Sequence, residues 1–330
     1  MTTSIDRDDS KRLMMFSGRA SQALAGRIAS RLGIELGEVD LRTFANGELY
    51  VRYRESIRGA DVFLVQSTCR PVNDNLMELL IMINAAKLAS AHRITAVIPW
   101  YGYSRQDKKS APREPVTSKL VADLLQVAGV DRVLTMDLHA GQVQGFFNVP
   151  VDHMTAVPMH SDHFRERVYS GELPTELVVV SPDAGRAKLA NHFAEKLGAT
   201  LAVLTKQRPE HNEAEVTLLI GDVSGRAAIL IDDMIDTAGT LVAGAQVVRD
   251  HGATRVFAAA THGLLSGPAV KRLRESVIEE VVITDTVPLP EDATEGFRVL
   301  SVDRILADSV HNVFCDESVS EIFAGENQLF

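Results

Sequence analysis

Short apolar runs rich in β-branched residues recur along the chain, separated by longer stretches whose apolar residues fall at spacings of three and four. The first pattern predicts strands buried on both faces; the second predicts amphipathic helices that cross from one such strand to the next. Strands are expected at 13–16, 62–66, 94–98 and 133–137, and again at 177–181, 199–204, 228–231, 255–261 and 280–285. Helices are expected at 21–32, 75–90, 117–128 and 240–251. This alternation gives an α/β fold with mainly parallel sheets flanked by helices.

Prolines punctuate the segment NVPVDHMTAVP, residues 148–158, and interrupt the periodicity there. A domain boundary is therefore expected near Thr155, dividing 11–154 from 155–315, with 316–330 as a tail packing back on the first half. The length of 330 residues supports two domains, because it exceeds the size at which one hydrophobic core usually keeps growing. Both halves repeat strand, polar loop and helix, without a residue-by-residue repeat.

Composition narrows the class. An apolar share of 45% supports folded cores. Lysine and arginine number 34 against 44 acidic residues, a net charge of −10, so no broad electrostatic footprint for nucleic acid is expected and any phosphate site must be local. Cys69 and Cys315 form neither a disulfide framework nor a metal knuckle, as suits a reducing compartment. The polar start MTTSIDRDDSKR lacks the apolar core of a signal peptide, and no apolar run is long enough to span a bilayer. A cytoplasmic protein without membrane attachment is expected.

The strongest chemical signal is AILIDDMIDTAGTLVAGAQVV. An apolar strand is read as ending in Asp232 and Asp233; a loop of Asp236, Thr237, Ala238, Gly239 and Thr240 follows, and then a helix. Amides of such a loop and of the first helical turn point outward unpaired, threonine hydroxyls add donors, and Gly239 permits close approach of a phosphate. Paired carboxylates at a strand end suit the hydroxyls of a sugar. Simple helix capping by Asp and Thr is the alternative, although capping alone does not require two adjacent acids after a buried strand.

This loop resembles the ribose-5-phosphate motif shared by type I phosphoribosyltransferases and by the ribose-phosphate pyrophosphokinase family. FANGE at 44–48, NDNLMELL at 73–80, YGYSRQDKK at 101–109, MDLHAGQVQGFF at 136–147 and SPDAG at 181–185 resemble the second family, in order and spacing, from about Leu13 to Phe323. The resemblance implies two phosphoribosyltransferase type I-like domains, with ATP contacts in the first and ribose 5-phosphate contacts in the second. It also implies transfer of the diphosphoryl group of ATP to the 1-hydroxyl of ribose 5-phosphate, giving phosphoribosyl diphosphate and AMP for nucleotide biosynthesis.

Carried over residue by residue, the resemblance places Phe44, Asn46, Gly47 and Glu48 at adenine, and Arg105 and Gln106 at ATP. Asp232, Asp233, Asp236, Thr237, Ala238, Gly239 and Thr240 would hold ribose 5-phosphate, with Arg208. Lys206 and Arg208 are the catalytic pair, and His139 and Asp183 lie nearest Mg²⁺, although a histidine is chemically atypical for that ion. Ser56, Arg58, Arg113, Ser318 and Ser320 resemble positions where this family binds phosphate or ADP as effectors, and a homohexamer is implied. On residue types alone each group has a plainer reading: a surface turn for FANGE, a solvated loop for SRQDKK, a core or capping histidine for His139, solubilising charges for Lys206 and Arg208.

Some positions depart from the family pattern. Ala238 and Arg186 stand where glycine is common, Gln207 where another basic residue is common, and Ser110, Ala111 and Pro112 dilute the charge after RQDKK. A phosphoribosyltransferase would need neither FANGE nor SRQDKK, a non-catalytic regulatory relative would lack Lys206 and Arg208, and a sugar-phosphate sensor would bind without releasing AMP.

Overall fold

The computed structural model describes residues 11–207, 216–293 and 295–323. Among them the chain forms β1 (Leu13–Ser17), α1 (Gln22–Leu32), β2 (Val39–Thr43), β3 (Leu49–Tyr53), β4 (Asp61–Val65), α2 (Val72–Leu88), β5 (Arg93–Ile98), α3 (Thr117–Ala128) and β6 (Arg132–Met136). It continues through β7 (Val151–Met154), α4 (Val157–Tyr169), β8 (Leu177–Ser181), α5 (Ala187–Leu197), β9 (Thr200–Gln207), β10 (Val216–Ile220) and β11 (Ala227–Ile235). The remaining elements are α6 (Gly239–Asp250), β12 (Arg255–Gly263), α7 (Ala269–Arg274), β13 (Glu280–Thr284), β14 (Phe297–Leu300) and α8 (Asp303–Cys315).

Contacts divide the chain into two compact units. Of the described residues, those within 11–134, 143–152 and 303–323 form the first, and those within 135–142 and 153–302 form the second. This partition differs in two places from a single cut near Thr155: the stretch after β6 groups with the second unit, and helix α8 groups with the first.

In the first unit, strand order is β1-β4-β5-β6-β7, with β1 parallel to β4 and β4 to β5. A separate antiparallel hairpin, β2 with β3, falls between β1 and β4 in sequence but does not pair with that sheet. Helix α8 packs on α1, where Arg31 Nε meets Asp303 Oδ1 at 2.9 Å. The carboxylate of Asp61, buried at the start of β4, takes Arg93 at 2.7 Å and His92 at 2.8 Å. Arg93 in turn reaches Asp316 at 3.1 Å, which ties the segment after α8 to the edge of β5.

The second unit is a seven-stranded sheet in the order β10-β9-β8-β11-β12-β13-β14, parallel except for β10 against β9. Side chains alternate between two cores, as the period of a strand requires. Val178, Val180, Leu230 and Ala258 face a cluster that includes Leu241, Ala245 and Val248 of α6. Val179, Ile229, Ile231 and Phe257 face the other, with Phe164 of α4 and Phe193 of α5. Both faces being covered explains why the sequence reads as unbroken apolar runs here.

The winding of this sheet fixes where a ligand can sit. From β8 the chain moves to β9 on one side, whereas from β11 it moves to β12 and β13 on the other. Beyond the carboxyl ends of β8 and β11 the connections diverge, leaving the crevice at which open α/β sheets bind ligands.

Candidate active site

The two loops at that crevice are the SPDAG turn after β8 and the DTAGT turn after β11. Strand β11 runs past both acids to Ile235, with Asp232 in register with Ala260 of β12, so the carboxylates project from a strand and not from a loop. The extension is stabilised on the far side of the turn as well, where the amides of Leu265 and Ser266 donate to the carbonyls of Ile235 and Asp236 at 3.0 and 2.9 Å.

Helix α6 then begins without a side-chain cap. Its N-cap residue, Ala238, has φ 60° and ψ 5°, the left-handed region that a glycine would occupy freely. Thr237, Gly239 and Thr240 are exposed around it. First-turn amides without a side-chain partner, at the positive end of a helix, form the arrangement that favours a phosphate. Arg272 of α7 leans on the same turn and donates from Nη1 to the Thr237 carbonyl at 3.0 Å. Sequence reasoning did not single out Arg272; only its place within a basic stretch, KRLR, marked it.

Behind the turn, Asp233 is buried and Asp232 partly so. The two Asp233 oxygens have different partners: Oδ2 meets His139 Nδ1 at 2.9 Å and Oδ1 meets Arg186 Nη2 at 3.0 Å. Asp232 Oδ1 accepts the Asp233 amide at 2.8 Å and lies 3.4 Å from Arg186 Nε. Burial, together with the carboxylate beside it, raises Asp232 well above the usual range. Burial acts to raise Asp233 too, but the His139 hydrogen bond and the Arg186 charge outweigh it and hold that group below the usual range. The carboxylate oxygens of the pair are acceptors suited to sugar hydroxyls.

His139 is placed by what precedes it. Asp137, at the end of β6, has φ 27° and a buried side chain. Its Oδ2 accepts from Thr261 Oγ1 at 2.6 Å and from the Ala156 amide at 2.8 Å, while its carbonyl meets His262 Nε2 at 3.2 Å. The sequence pattern gave no hint of Thr261 or His262, because both read as ordinary strand residues.

Among the described residues no group of three or more His, Cys, Asp or Glu side chains is arranged to hold a metal ion. Asp183 is exposed and uses Oδ1 to accept the Arg186 amide at 3.0 Å. One open carboxylate of this kind fits Mg²⁺, which is commonly held by one or two carboxylates with phosphate and water oxygens. His139 fits less well in this arrangement, since Nδ1 faces Asp233 and Arg186 Nη2 lies 2.5 Å from Nδ1 and 3.3 Å from Nε2.

Lys206 falls near the end of β9, in register with Thr217 of β10. Arg208 lies outside the described residues. The expected catalytic pair therefore begins on a strand end, where a polar segment was expected.

In the first unit, FANGE is the loop of the β2–β3 hairpin. The Phe44 amide donates to the Glu48 carbonyl and the Gly47 amide to the Phe44 carbonyl, both at 2.8 Å, and Gly47 takes φ 92°. Asn46 Oδ1 accepts the Glu48 amide at 3.2 Å. Phe44 is 52% exposed with its ring edge-on to Tyr50 at 5.9 Å, which leaves an aromatic face presented to solvent. Arg105 and Gln106 are exposed on the turn before α3, where Gln106 Oε1 accepts from Thr117 Oγ1 at 2.5 Å.

The effector candidates also fall in the first unit. Arg12 donates to the Ser56 carbonyl at 2.6 Å and to that of Arg58 at 3.5 Å, and its neighbour Lys11 donates to the Phe314 carbonyl at 3.3 Å. Residues 11 and 12 thus link the Ser56 and Arg58 segment to the end of α8, just before Ser318 and Ser320. Asn312 Nδ2 donates to the Ser318 carbonyl at 2.8 Å, and Arg113 has φ 71°.

Comparison with known proteins gives a consistent result. Residues 13–129 match the N-terminal domain of ribose phosphate pyrophosphokinase, and residues 206–324 match the phosphoribosyl synthetase-associated domain. A ribose-phosphate pyrophosphokinase of Caldanaerobacter subterraneus subsp. tengcongensis is 54% identical over 94% of this chain and 98% of its own. One from Nostoc sp. is 49% identical over 96% of this chain and 94% of its own. The crystal structure of phosphoribosylpyrophosphate synthetase from Mycobacterium smegmatis superposes with a TM-score of 0.88 at 45% identity, covering 93% of this chain and 100% of that one.

Proposed function

The chain belongs to the ribose-phosphate pyrophosphokinase family, and from that premise we propose how its own residues carry out the family's reaction. It is a ribose-phosphate diphosphokinase: the diphosphoryl group of ATP passes to the 1-hydroxyl of ribose 5-phosphate, giving phosphoribosyl diphosphate and AMP for nucleotide biosynthesis.

The uncapped start of α6, directly beyond an acid pair at the sheet's switch point, carries the reading. The 5-phosphate lies on the amides and hydroxyls of Thr237 to Thr240, with Asp236 flanking it, and the ring hydroxyls meet Asp232 and Asp233. This holds the 1-hydroxyl still for in-line attack on the β-phosphorus of ATP, a reaction that needs positioning and charge neutralisation more than covalent help. Lys206 and Arg208 act on the transferring group and its developing charge. Asp183 would hold Mg²⁺, and the ion would supply neutralisation of phosphate charge. His139 serves the same centre chiefly by anchoring Asp233.

The first domain supplies ATP contacts: the exposed Phe44 face for adenine, Asn46, Gly47 and Glu48 for its polar edge, and Arg105 and Gln106 for phosphates and ribose. We assign the chain to the cytoplasm and to a homohexamer, with phosphate or ADP acting as effectors near Ser56, Arg58, Arg113, Ser318 and Ser320. Among the described residues no helix is long and apolar enough to cross a membrane.

Incubation with ATP, Mg²⁺ and ribose 5-phosphate, comparing the natural chain with Asp232→Asn and Gly239→Val, tests the site. AMP and acid-labile diphosphate should form together in the natural chain, and both variants should need far more ribose 5-phosphate. Normal sugar dependence in both variants would remove the site from the β11 turn.

A further inference from the structure

Arg186 leaves the turn after β8 and reaches both other segments that meet at the crevice. Nη1 donates to the His139 carbonyl at 2.8 Å, Nη2 lies 3.0 Å from Asp233 Oδ1, and Nε lies 3.4 Å from Asp232 Oδ1. Because His139 Nδ1 lies 2.9 Å from the other Asp233 oxygen and 2.5 Å from Arg186 Nη2, these contacts close a ring of imidazole, carboxylate and guanidinium, tied also to the His139 backbone. The Arg186 side chain is 17% exposed and that of Asp233 5%, so the ion pair between them is partly shielded from water and correspondingly strengthened.

A guanidinium presents five N–H groups in a fixed plane, so one side chain can set the angles of several partners at once, which an ammonium on a flexible stem cannot. Each carboxylate that faces the sugar thereby has its orientation fixed from behind before any ligand arrives. Removing the cation would leave two adjacent acids to repel one another and turn apart, and the ligand would then have to reorder them on binding.

This rests on the reading that Asp232 and Asp233 receive the ribose hydroxyls. We propose that Arg186 is a positioning residue for the sugar, presetting both carboxylates and so setting the affinity for ribose 5-phosphate. It does not touch the substrate in this role; its effect passes through Asp232, Asp233 and His139.

Steady-state kinetics of Arg186→Gly and Arg186→Lys, beside Asp232→Asn, test it. The glycine variant should raise KM for ribose 5-phosphate by about tenfold or more with KM for ATP changed by less than about threefold. The lysine variant should recover little, and added guanidinium at about 10 mM should restore part of the sugar affinity of the glycine variant alone. If the glycine variant melts early, Arg186→Gln, which keeps the stem, carries the same comparison. Unchanged sugar affinity in the glycine or glutamine variant, beside a crippled Asp232→Asn, overturns the role of Arg186 and leaves the sugar site standing. Unchanged affinity in all variants overturns the sugar site and this proposal together. A lysine variant equal to the natural chain would show that charge alone suffices and would overturn the fork geometry.

Discussion

Thr261 Oγ1 donates a 2.6 Å hydrogen bond to Asp137 Oδ2 in the interior of the second unit, joining the middle of β12 to the end of β6. Asp137 stands two residues before His139, so this bond helps fix where the chain leaves the strand and where the imidazole arrives.

Removing the hydroxyl should therefore cost both stability and order. Thr261→Val keeps the shape but leaves a buried carboxylate short of one donor, a loss of about 1–3 kcal/mol in unfolding free energy. Thr261→Ser keeps the donor and should lose less than about half of that. Urea denaturation midpoints of the two variants decide the matter; equal losses would mean that the methyl group and not the hydrogen bond carries the effect.

Ala238 tests a balance between strain and burial. A non-glycine residue in the left-handed region costs roughly 1 kcal/mol, while burying its methyl group returns about 0.8 kcal/mol. Ala238 has φ 60° and is 6% exposed, so the two effects nearly cancel. Ala238→Gly should leave thermal stability within about 0.5 kcal/mol and the KM for ribose 5-phosphate unchanged. Ala238→Val, which adds branching at the same φ and volume in a packed site, should lose at least about 2 kcal/mol. A large loss in the glycine variant would show that the methyl contact outweighs the strain.

These residues also show how far the sequence could be read. Both-face burial made β8, β11 and β12 visible as apolar runs, and Thr117–Ala128 stands as the 3.6-residue period predicts. The hairpin of β2 and β3 was not visible, because its residues are half-buried and charged side chains interrupt the alternation. Strand β11 was cut short at the acids: a carboxylate looks like a strand end unless a cation beyond the local window compensates it. Arg186 is that cation, 46 residues away from Asp232 in sequence, and no local pattern pairs them. The turn between β11 and α6 was legible because its amides, hydroxyls and glycine are contiguous. The ring around Asp233 was not, because its members come from three separate segments: the chain after β6, the turn after β8 and strand β11.

Lys206 and Arg208 carry the sharpest kinetic expectation. Lys206→Ala should lower kcat by about two orders of magnitude or more, and the double alanine further, with modest change in KM for ribose 5-phosphate. That split separates a role on the transferring group from one in sugar binding. Single-turnover measurement of AMP formation checks it; near-normal turnover in both variants would remove the pair from catalysis.

Acid stability should depend on buried histidines of the second unit, His160 above all. Burial drives its imidazole down to about 4; nearby Asp137 opposes the shift and His163 adds to it. In the unfolded chain the same group titrates near its ordinary value of about 6.5. The folded form thus prefers the neutral ring, and its contribution is fully present above about pH 6.5 and is lost progressively as pH falls toward about 4, a total of about 3 kcal/mol. His153 and His262 shift in the same direction, again chiefly through burial, so they steepen the loss over the acid side of that window. His160→Leu, which removes the titrating ring while keeping an apolar side chain of similar size, should flatten the fall in urea midpoint between pH 6.5 and 4 without abolishing it. Parallel pH profiles for the variant and the natural chain would mean that His160 takes up its proton without cost in the fold, and that the acid sensitivity lies with the other two histidines.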